Sequence, residues 1–441
     1  MMVSESERNG PTSFKRQVFV RIGQQAHLLR DIGSIYGVQF ANYVVPLIIV
    51  PYLTRVLGPA SWGLLAMAQA FAMYGGLVID YGFIYSATRQ IATASTNCDI
   101  ERVIAGVSAA RALLTALVIL GACGAYTFVP LFHDHPLLLW TAVTAEVLRA
   151  LLPSYFFYGM KRVAIASTLD ISARLAAAAG IFFVVHKPED AWKVFALQAA
   201  GSAIALTIGH TMISSRYRLR WPRIGDAVTT LREGGNMFLF RGAYHIYSLG
   251  NAFILGLFAS PQDVGYYAGA EKISSAAVGL LSPLSTALYP RAAGLVKTSL
   301  PKAALLTKIS FYSMLAVSIV LGLIMWFGSS VIVRLILGHK FLASASVLRI
   351  LSLRAPAAAL TNVLGFQWLL ALGMEKSFQR ITVFALMLNL LLATSVAPKY
   401  TFNGMAWCVV VSQTVAAAGI YLVLQRRKLN PLALPSDASY A

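Results

Sequence analysis

Seven basic side chains lie inside stretches of the chain that otherwise have the composition of lipid-spanning helices: Arg111, Arg149, Arg174, Arg241, Lys272, Arg349 and Arg354. A single charge at the centre of a bilayer costs about 2.5–3.5 kcal/mol on insertion scales. Charges at such positions therefore indicate a water-filled path, a partner charge or a bound ion. Because the excess is positive, and a guanidinium group offers phosphate oxygens a planar set of donors, the pattern points to an anion that crosses a membrane.

Two of these arginines have an acidic neighbour at helical spacing. Glu146 and Arg149 are three residues apart, and Asp170 and Arg174 are four residues apart. Residues at either spacing share one face of a helix, so each pair could neutralise itself within its own helix. For both arginines, local pairing therefore competes evenly with a role in binding substrate.

The other basic residues differ in their positions along the predicted helices. Arg111 and Arg241 lie near helix ends; we expect Arg111 to snorkel to the lipid headgroups, whereas for Arg241 snorkelling and a place in a cleft compete evenly. Arg349 and Arg354 have no acidic residue in their predicted helix and are followed by Pro356, which makes them the strongest indication of a cleft. The candidates for binding substrate are therefore Arg349, Arg354, Lys272 and Arg241, followed by Arg149 and Arg174.

Five further charged residues could act at the mouths of a cleft or in energy coupling. Arg55 lies at one predicted mouth, and Arg89 and Arg291 lie at the other, where each could instead be an interfacial anchor. Asp80 and Glu271 could couple transport to a proton or to sodium, or could pair with a cleft arginine. The sequence predicts no other cofactor and no metal site, because its histidines and cysteines match no zinc-ligand spacing and no GxxxxGK[ST] loop is present.

The helices that must position these residues are predicted from twelve apolar windows of the sequence. Of the 441 residues, 58% are hydrophobic and 12% are charged, against about 25% charged in ordinary globular domains. Windows of about 20 apolar residues can cross a bilayer as helices. They lie at 33–54, 63–86, 107–130, 137–158, 164–185, 192–213, 236–258, 267–290, 308–328, 345–371, 379–397 and 404–425. The predicted fold class is therefore an all-α integral membrane protein with twelve transmembrane helices.

The distribution of positive charge predicts the orientation. On alternate loops, 23 lysines and arginines lie on one side of the membrane and 6 on the other, the six being Arg55, Lys187, Lys193, Arg334, Lys340 and Lys399. Because cytoplasmic loops carry the excess of positive charge, both termini are predicted to be cytoplasmic. The net charge of +19 follows from this topology, and its spread over short loops argues against nucleic acid as a partner.

Two parts of the sequence resemble each other at nearly constant spacing. Residues 59–69 (PASWGLLAMAQ) match 261–271 (PQDVGYYAGAE) at an offset of 202, which also relates Arg89 to Arg291. At an offset of 200, AEVLRAL around Arg149 matches ASVLRIL around Arg349. Parallel repeats of six helices place a substrate site between two halves, with Arg149 and Arg349 as counterparts and the C-terminal half more positive. The predicted organisation is a cytoplasmic amphipathic segment (1–32), an N-terminal half (33–213), a basic cytoplasmic linker (214–235), a C-terminal half (236–425) and a cytoplasmic tail (426–441).

Several motifs resemble those of a known family. The segments PYLTRVLGPASWG (51–63) and DYGFIYSATRQIA (80–92), with VGYYAGAEK (264–272) and LYP (288–290), are similar to Wzx-type O-antigen and exopolysaccharide flippases of the multidrug/oligosaccharidyl-lipid/polysaccharide superfamily. The resemblance implies a MATE-like fold that moves an undecaprenyl-pyrophosphate-linked oligosaccharide to the periplasmic leaflet of a bacterial inner membrane, without enzymatic catalysis. The implied partners are this lipid-linked glycan and membrane lipids, and they could include a polysaccharide polymerase and a chain-length regulator.

Two other functions fit part of the sequence. A cation-coupled exporter of drugs or other small molecules would share the fold, but such exporters usually carry organic cations, which a positive cleft disfavours. A membrane polysaccharide polymerase or ligase would be equally hydrophobic, but it would generally have a large periplasmic loop. The longest predicted loop, 214–235, is instead on the cytoplasmic side.

Overall fold

The computed structural model describes residues 48–218, 225–232, 234–235 and 250–433. Within these ranges the regular elements are all helical and none is a strand. The predicted N-terminal segment 1–32 and the candidate Arg241 lie outside the described residues. The predictions made for them, and the boundaries of the predicted domains, stay predictions.

The N-terminal half begins with a helical run over 48–80 (α1). It continues with α2 Phe83–Thr93, α3 Asn97–Phe128, α4 Pro130–Asp134, α5 Pro136–Ala150, α6 Ser154–Gly159, α7 Val163–Val184 and α8 Ala191–Ser214. Gly58 interrupts α1, because its φ of 73° lies outside the helical region and is readily adopted by glycine. Pro59 then starts the next helical segment, where the missing proline N–H has little consequence.

A short helix over 225–232 (α9) lies in the predicted linker and packs on the N-terminal half. Ala227 is fully buried, and the side chain of Thr230 lies against Gly106 of α3. Seven residues before this helix begins, the backbone N–H of Arg218 donates to Glu101 Oε1 at 3.0 Å. The described part of the linker is therefore attached to α3 rather than extending free of the bundle.

The C-terminal half contains α10 Asn251–Gly256, α11 Pro261–Gly279, α12 Ser282–Thr298, α13 Leu300–Ile336, α14 Ser344–Ser352, α15 Arg354–Leu360, a π-helix over Thr361–Leu369, and α16 Glu375–Arg426. Thr401, with φ 48° and ψ −129°, breaks α16 near its middle. The two parts of α16 then run side by side, since a Cβ on Gly419 would lie 3.2 Å from Cγ2 of Ile381. α16 is therefore a hairpin of two antiparallel membrane helices.

In the part of the chain that the structure describes, eight helical stretches are long and apolar enough to cross a membrane: Ile48–Thr93, Asn97–Phe128, Pro136–Gly159, Val163–Val184, Pro188–Ser214, Leu300–Ile336, Ser344–Leu369 and Glu375–Arg426. The break at Gly58 and the hairpin at Thr401 divide the first and last of them. α11 and α12 cover the predicted eighth window, and the first and seventh windows lie partly outside the described residues. The predicted all-α membrane fold is confirmed, and the helix order is consistent with twelve crossings.

Some helices extend well beyond the apolar windows that predicted them. The third window begins at 107, whereas α3 begins at Asn97. A capping box fixes this start: Thr96 N–H donates to Asp99 Oδ2, and Asp99 N–H donates to Thr96 Oγ1, both at 3.2 Å. The first turns of α3 are polar, so a hydropathy window misses them.

The buried side chains of the described residues form three clusters. The largest combines residues of both halves, such as Phe132 and Leu337, around the turns at Gly58, 129–135 and 337–343, which we call the joined end. The second cluster contains residues of the N-terminal half and α9 only, and the third contains residues of the C-terminal half only. These two lie toward the turns at 94–96, 160–162 and 370–374, which we call the separate end. Among the described residues, no buried cluster connects the halves there.

The repeated segments meet each other at the joined end. A Cβ on Gly63 would overlap the carbonyl oxygen of Pro261 and lie 2.7 Å from the backbone N of Gly265. A Cβ on Gly265 would likewise overlap the carbonyl oxygen of Pro59. Small residues let membrane helices approach backbone to backbone. This reciprocal contact places a pseudo-two-fold axis between equivalent positions of the two halves.

Candidate functional site

Arg111 is buried in the N-terminal half. It is 5% exposed, and its Nη1 donates to the carbonyl oxygens of Leu151 and Leu152 at 3.0 and 3.1 Å. Its Nη2 lies 3.9 Å from Asp80 Oδ1, and its guanidinium lies 5.0 Å from the Tyr155 ring centroid. The expectation that Arg111 snorkels to headgroups is wrong. Because α3 begins ten residues earlier than its apolar window, Arg111 lies well inside the helix instead of near its end.

The first predicted helix-face pair is present. Arg149 Nε donates to Glu146 Oε2 at 2.9 Å, and a second contact joins Arg149 Nη2 to Glu146 Oε1. Glu146 lies against Gly76 of α1, where a Cβ would displace the carboxylate. The Arg149 side chain is 44% exposed and that of Glu146 is 13% exposed. Glu146 therefore packs against α1, and Arg149 is the more exposed residue of the pair.

The second predicted pair lies on α7. Arg174 Nη2 is 3.0 Å from Asp170 Oδ2, with side-chain exposures of 40% and 23%. Asp170 and Asp80 both lie close enough to act electrostatically on Arg149. The charges of the N-terminal half therefore form one group of six. Three carboxylates, those of Asp80, Glu146 and Asp170, lie near three arginines, Arg111, Arg149 and Arg174.

Glu271 of α11 is the centre of a polar group in the C-terminal half. Tyr267, which is fully buried, donates its hydroxyl hydrogen to Glu271 Oε1 at 3.2 Å. The carboxamide of Asn251, 4% exposed, is within hydrogen-bonding reach of the same carboxylate. Arg354 and the exposed Lys272 supply the nearby positive charge. Neither Tyr267 nor Asn251 was predicted as a site residue from the sequence, although Tyr267 precedes Glu271 by one helical turn.

Arg354 is buried between α11 and α15. It is 8% exposed, and its Nη2 donates to Ser275 Oγ at 3.0 Å. Its buried Nε has no hydrogen-bond partner in the described part of the chain. A buried donor without an acceptor costs about 1–3 kcal/mol. Arg354 therefore retains one donor that an oxygen of a bound molecule could satisfy.

Arg349 lies one and a half turns before Arg354 and is exposed. Its Nη2 donates to Ser329 Oγ of α13 at 3.3 Å. One turn earlier, Ser346 donates to Asn403 Oδ1 of α16 at 2.8 Å. Arg349 contacts Ser329 of its own half, and Arg149 contacts Glu146 of its own half. Neither contact joins the predicted counterparts Arg149 and Arg349.

The two halves differ in the balance of these charges. In the N-terminal half the three arginines face three carboxylates, whereas in the C-terminal half Arg349, Arg354 and Lys272 have only Glu271 among the charges described around them. The candidate residues therefore form two groups, one in each half. The uncompensated positive charge lies in the second group.

The predicted mouth residues lie at opposite ends of the bundle. Arg89 and Arg291 are both exposed, on α2 and α12 toward the separate end. Arg55, at the joined end, reaches from α1 to the other half, where its Nη2 donates to the carbonyl oxygen of Leu335 at 2.6 Å. Arg55 thus links the halves at the joined end.

A π-helix follows the α15 segment that carries Arg354. It spans Thr361–Leu369, and π-helical turns are uncommon and frequently occur at functional sites. Within it, the fully buried Gln367 accepts a hydrogen bond at its Oε1 from Ser310 Oγ at 2.9 Å. Apart from Pro356, no residue in the sequence signals this irregular backbone.

The sequence matches a known family over more than half of its length. Residues 28–296 match the family described as polysaccharide biosynthesis protein. An Escherichia coli protein named "Putative O-antigen transporter" is 26% identical over 405 residues, which is 91% of this chain and 98% of that protein. A Shigella dysenteriae protein with the same name is 27% identical over 390 residues, covering 87% and 95% of the two chains.

Solved structures share the fold. An inward closed structure of the lipid II flippase MurJ superimposes with a TM-score of 0.68 at 14% identity, covering 90% of this chain and 87% of that one. An inward-facing multidrug resistance MATE transporter superimposes with a TM-score of 0.63 at 14% identity, covering 90% and 96%. The family match and the fold confirm the resemblance to Wzx-type flippases. The chain belongs to the polysaccharide biosynthesis protein family and is a multi-pass membrane transporter rather than an enzyme.

Proposed function

We propose that the chain moves an oligosaccharide linked to undecaprenyl pyrophosphate from the cytoplasmic to the periplasmic leaflet of a bacterial inner membrane, by alternating access. Relatives that align over almost their whole length are named for O-antigen transport, which supports a glycan as cargo. The product would then be available to a polysaccharide polymerase and a chain-length regulator on the periplasmic side. Both termini of the chain would be cytoplasmic.

The observation that carries this proposal is the unequal packing of the two halves. They share one buried cluster at the joined end, whereas at the separate end each half has a cluster of its own. A cleft between two repeats, closed at one end, is the arrangement from which alternating access works. The arrangement therefore supports a state that receives cargo from the separate end.

The charge of the loops supports the orientation of this cleft. Among the described residues, the lysines and arginines of the side predicted to carry 23 lie toward the separate end, and those of the side predicted to carry 6 lie toward the joined end. Because positively charged loops are retained in the cytoplasm, the separate end would face the cytoplasm. A lipid-linked sugar made in the cytoplasmic leaflet would then enter directly.

The uncompensated charge of the C-terminal half suits a pyrophosphate group. An exposed charge within a membrane helix must reach water or a counter-ion, which favours a cleft position for Lys272 and Arg349. The free Nε of Arg354 adds a directional donor. In this account the polyprenyl tail stays in the bilayer while the pyrophosphate and the sugars pass between the halves. Arg149 and Arg174, with their own carboxylates, would bind less strongly.

Energy coupling would act mainly on the return step. An inside-negative membrane potential favours outward movement of an anion by about 2.3 kcal/mol per charge per 100 mV. The empty site must then turn back toward the cytoplasm before it can accept new cargo. Uptake of a proton or sodium ion at Glu271 or Asp80 could be tied to that return.

The test in cells removes the two arginines of α14 and α15 together. In a strain without its own flippase gene, Arg349→Gln with Arg354→Gln should give inserted protein but no surface polysaccharide. Lipid-linked repeat units should accumulate and stay accessible only from the cytoplasmic side. The single variant Arg354→Lys keeps the positive charge in the buried site and should retain part of the wild-type activity.

The matched control is Arg426→Gln with Arg427→Gln, which removes two exposed arginines at the end of α16. It should leave the polysaccharide at the wild-type level. Normal polymer in the Arg349 and Arg354 double variant would contradict their assignment to the pyrophosphate. Export of a cationic dye that depends on Asp80 or Glu271, with no effect on polysaccharide, would favour the drug-exporter alternative.

A further inference from the structure

A cleft of about 720 Å³ opens at the joined end between α1 and the end of α13. Arg55 of the N-terminal half forms one side, and Arg334, His339 and Lys340 of the C-terminal half form the other. The four side chains are exposed, and Arg334 Nε lies 3.1 Å from His339 Nε2. The cleft therefore lies across the boundary between the two halves.

The cleft concentrates positive charge on the side of the protein that has little of it. Three of the six lysines and arginines assigned to that side, Arg55, Arg334 and Lys340, line the cleft. None of the lining residues that the structure describes is acidic. Of the other three, Lys193 has an ionic partner, with its Nζ 2.6 Å from Asp190 Oδ1. The side is therefore weakly charged overall but strongly positive at this one place.

The remaining wall of the cleft is apolar and faces outward. Val331 and Leu335 of α13 line it and are 70% and 72% exposed. They belong to the stretch Leu300–Ile336, which is long and apolar enough to cross a membrane. In a membrane, an exposed apolar wall on such a helix would contact lipid chains, so the cleft would open to the bilayer as well as to water.

We propose that this cleft binds the headgroup of an anionic phospholipid from the leaflet at the joined end. The phosphate would lie among Arg55, Arg334 and Lys340, and the acyl chains would lie along Val331 and Leu335. Basic pockets between membrane helices bind lipid headgroups in this way. The apolar wall favours a lipid over a free phosphate ion, which would use only the charged part of the cleft.

The position of Arg55 gives this lipid an effect on conformation. Arg55 already donates to the Leu335 carbonyl oxygen across the boundary between the halves. A phosphate that contacts Arg55 on one half and Arg334 on the other adds a second bridge at the same place. A bound anionic lipid would therefore stabilise the closed joined end. This inference does not depend on the identity of the transported cargo.

Native mass spectrometry of the full chain tests the proposal. Purified protein is titrated with dioleoylphosphatidylglycerol, with dioleoylphosphatidylcholine and, separately, with inorganic pyrophosphate. We expect the wild type to retain phosphatidylglycerol over phosphatidylcholine by roughly tenfold, because the choline ammonium offsets the phosphate charge and repels the three cations. Replacing Arg55, Arg334 and Lys340 with glutamine should abolish that preference.

The control variant replaces Lys187, Lys193 and Lys399 with glutamine, which removes the same charge from the same side but outside the cleft. It should keep the wild-type preference. If the Arg55 change disturbs folding, Arg334→Gln with Lys340→Gln leaves the Arg55–Leu335 contact in place and should still weaken retention. An unchanged preference in the cleft variants would overturn the proposal. Pyrophosphate retained as tightly as phosphatidylglycerol would also overturn it, in favour of a site for free anions.

Discussion

Gly63 of the N-terminal half and Gly265 of the C-terminal half pack against each other, although 202 residues separate them in the sequence. A Cβ on either glycine would overlap the backbone of the other half, with Pro261 on one side and Pro59 on the other. Only residues near a pseudo-two-fold axis can touch their own counterparts. The two glycines therefore mark where the halves meet and where an opening at the joined end must begin.

Valine at both glycines should prevent the joined end from closing. Adding side chains to a packed contact costs about 1–3 kcal/mol, and here the opposing atoms are backbone that cannot rotate away. Pulsed spin-label distances in a variant without native cysteines measure the result. The distance between labels at Ala60 and Gln262 should lengthen, and that between labels at Lys161 and Lys376 should shorten. Gly121→Val is the control, because nothing lies within 4 Å of a Cβ there, and unchanged distances in the double variant would refute the assignment.

Arg111→Gln should destabilise the fold. The substitution removes the hydrogen bonds to the carbonyl oxygens of Leu151 and Leu152 and the ionic contact with Asp80. Hydrogen bonds from a charged group are each worth about 1.5–3 kcal/mol, so the melting temperature of the purified protein should fall by several degrees. Arg102→Gln, at a side chain that is 69% exposed, should melt like the wild type. Equal melting of both variants would show that Arg111 is not structural.

A double-mutant cycle on Glu146 and Arg149 distinguishes a structural role of the pair from a role in transport. Arg149→Gln alone leaves the 13% exposed Glu146 carboxylate unpaired and should lower stability. Adding Glu146→Gln should restore most of the melting temperature, because neither charge then remains. If transport returns together with stability, the pair is structural. Transport that stays low in the stable double variant would assign substrate binding to Arg149.

Glu271→Gln should uncouple transport from its driving ion. Glutamine keeps the shape and can still accept the hydrogen bond from Tyr267, but it cannot gain or lose a proton. In proteoliposomes, an imposed proton or sodium gradient should accelerate wild-type transport and should have no effect on the variant. Asp263→Asn, in the first turn of the same helix, should keep the response. A variant that still responds to the gradient would exclude Glu271 as the coupling site.

Much of the fold could be predicted because membrane helices follow hydropathy and loop charge. The helix pairs Glu146–Arg149 and Asp170–Arg174 could also be predicted, since residues three or four apart on one helix are neighbours wherever that helix lies. Arg111 was misplaced because hydropathy cannot locate the polar first turns of α3. A capping signal, Thr96 with Asp99, was present in the sequence and would have corrected the start of that helix.

Contacts between the halves could not be predicted. The repeat identified Gly63 and Gly265 as equivalents, but equivalence in sequence does not say which equivalents lie on the axis. In the same way, the environment of Arg354 depends on Ser275 of α11, which the sequence separates from it by 79 residues. Such contacts follow from how whole helices pack, and no local spacing encodes them.

Reconstitution of the purified chain tests whether it carries a lipid-linked oligosaccharide between leaflets. Vesicles containing the purified protein and a labelled undecaprenyl-pyrophosphate oligosaccharide are treated outside with a glycosidase that cannot enter. In vesicles without protein, about half of the substrate should stay protected, because unassisted passage of a charged headgroup through hydrocarbon is strongly opposed. The wild type should expose nearly all of the substrate, and the Arg349→Gln with Arg354→Gln variant should behave like protein-free vesicles. If wild-type vesicles protect as much substrate as protein-free vesicles, the chain does not move this lipid-linked oligosaccharide.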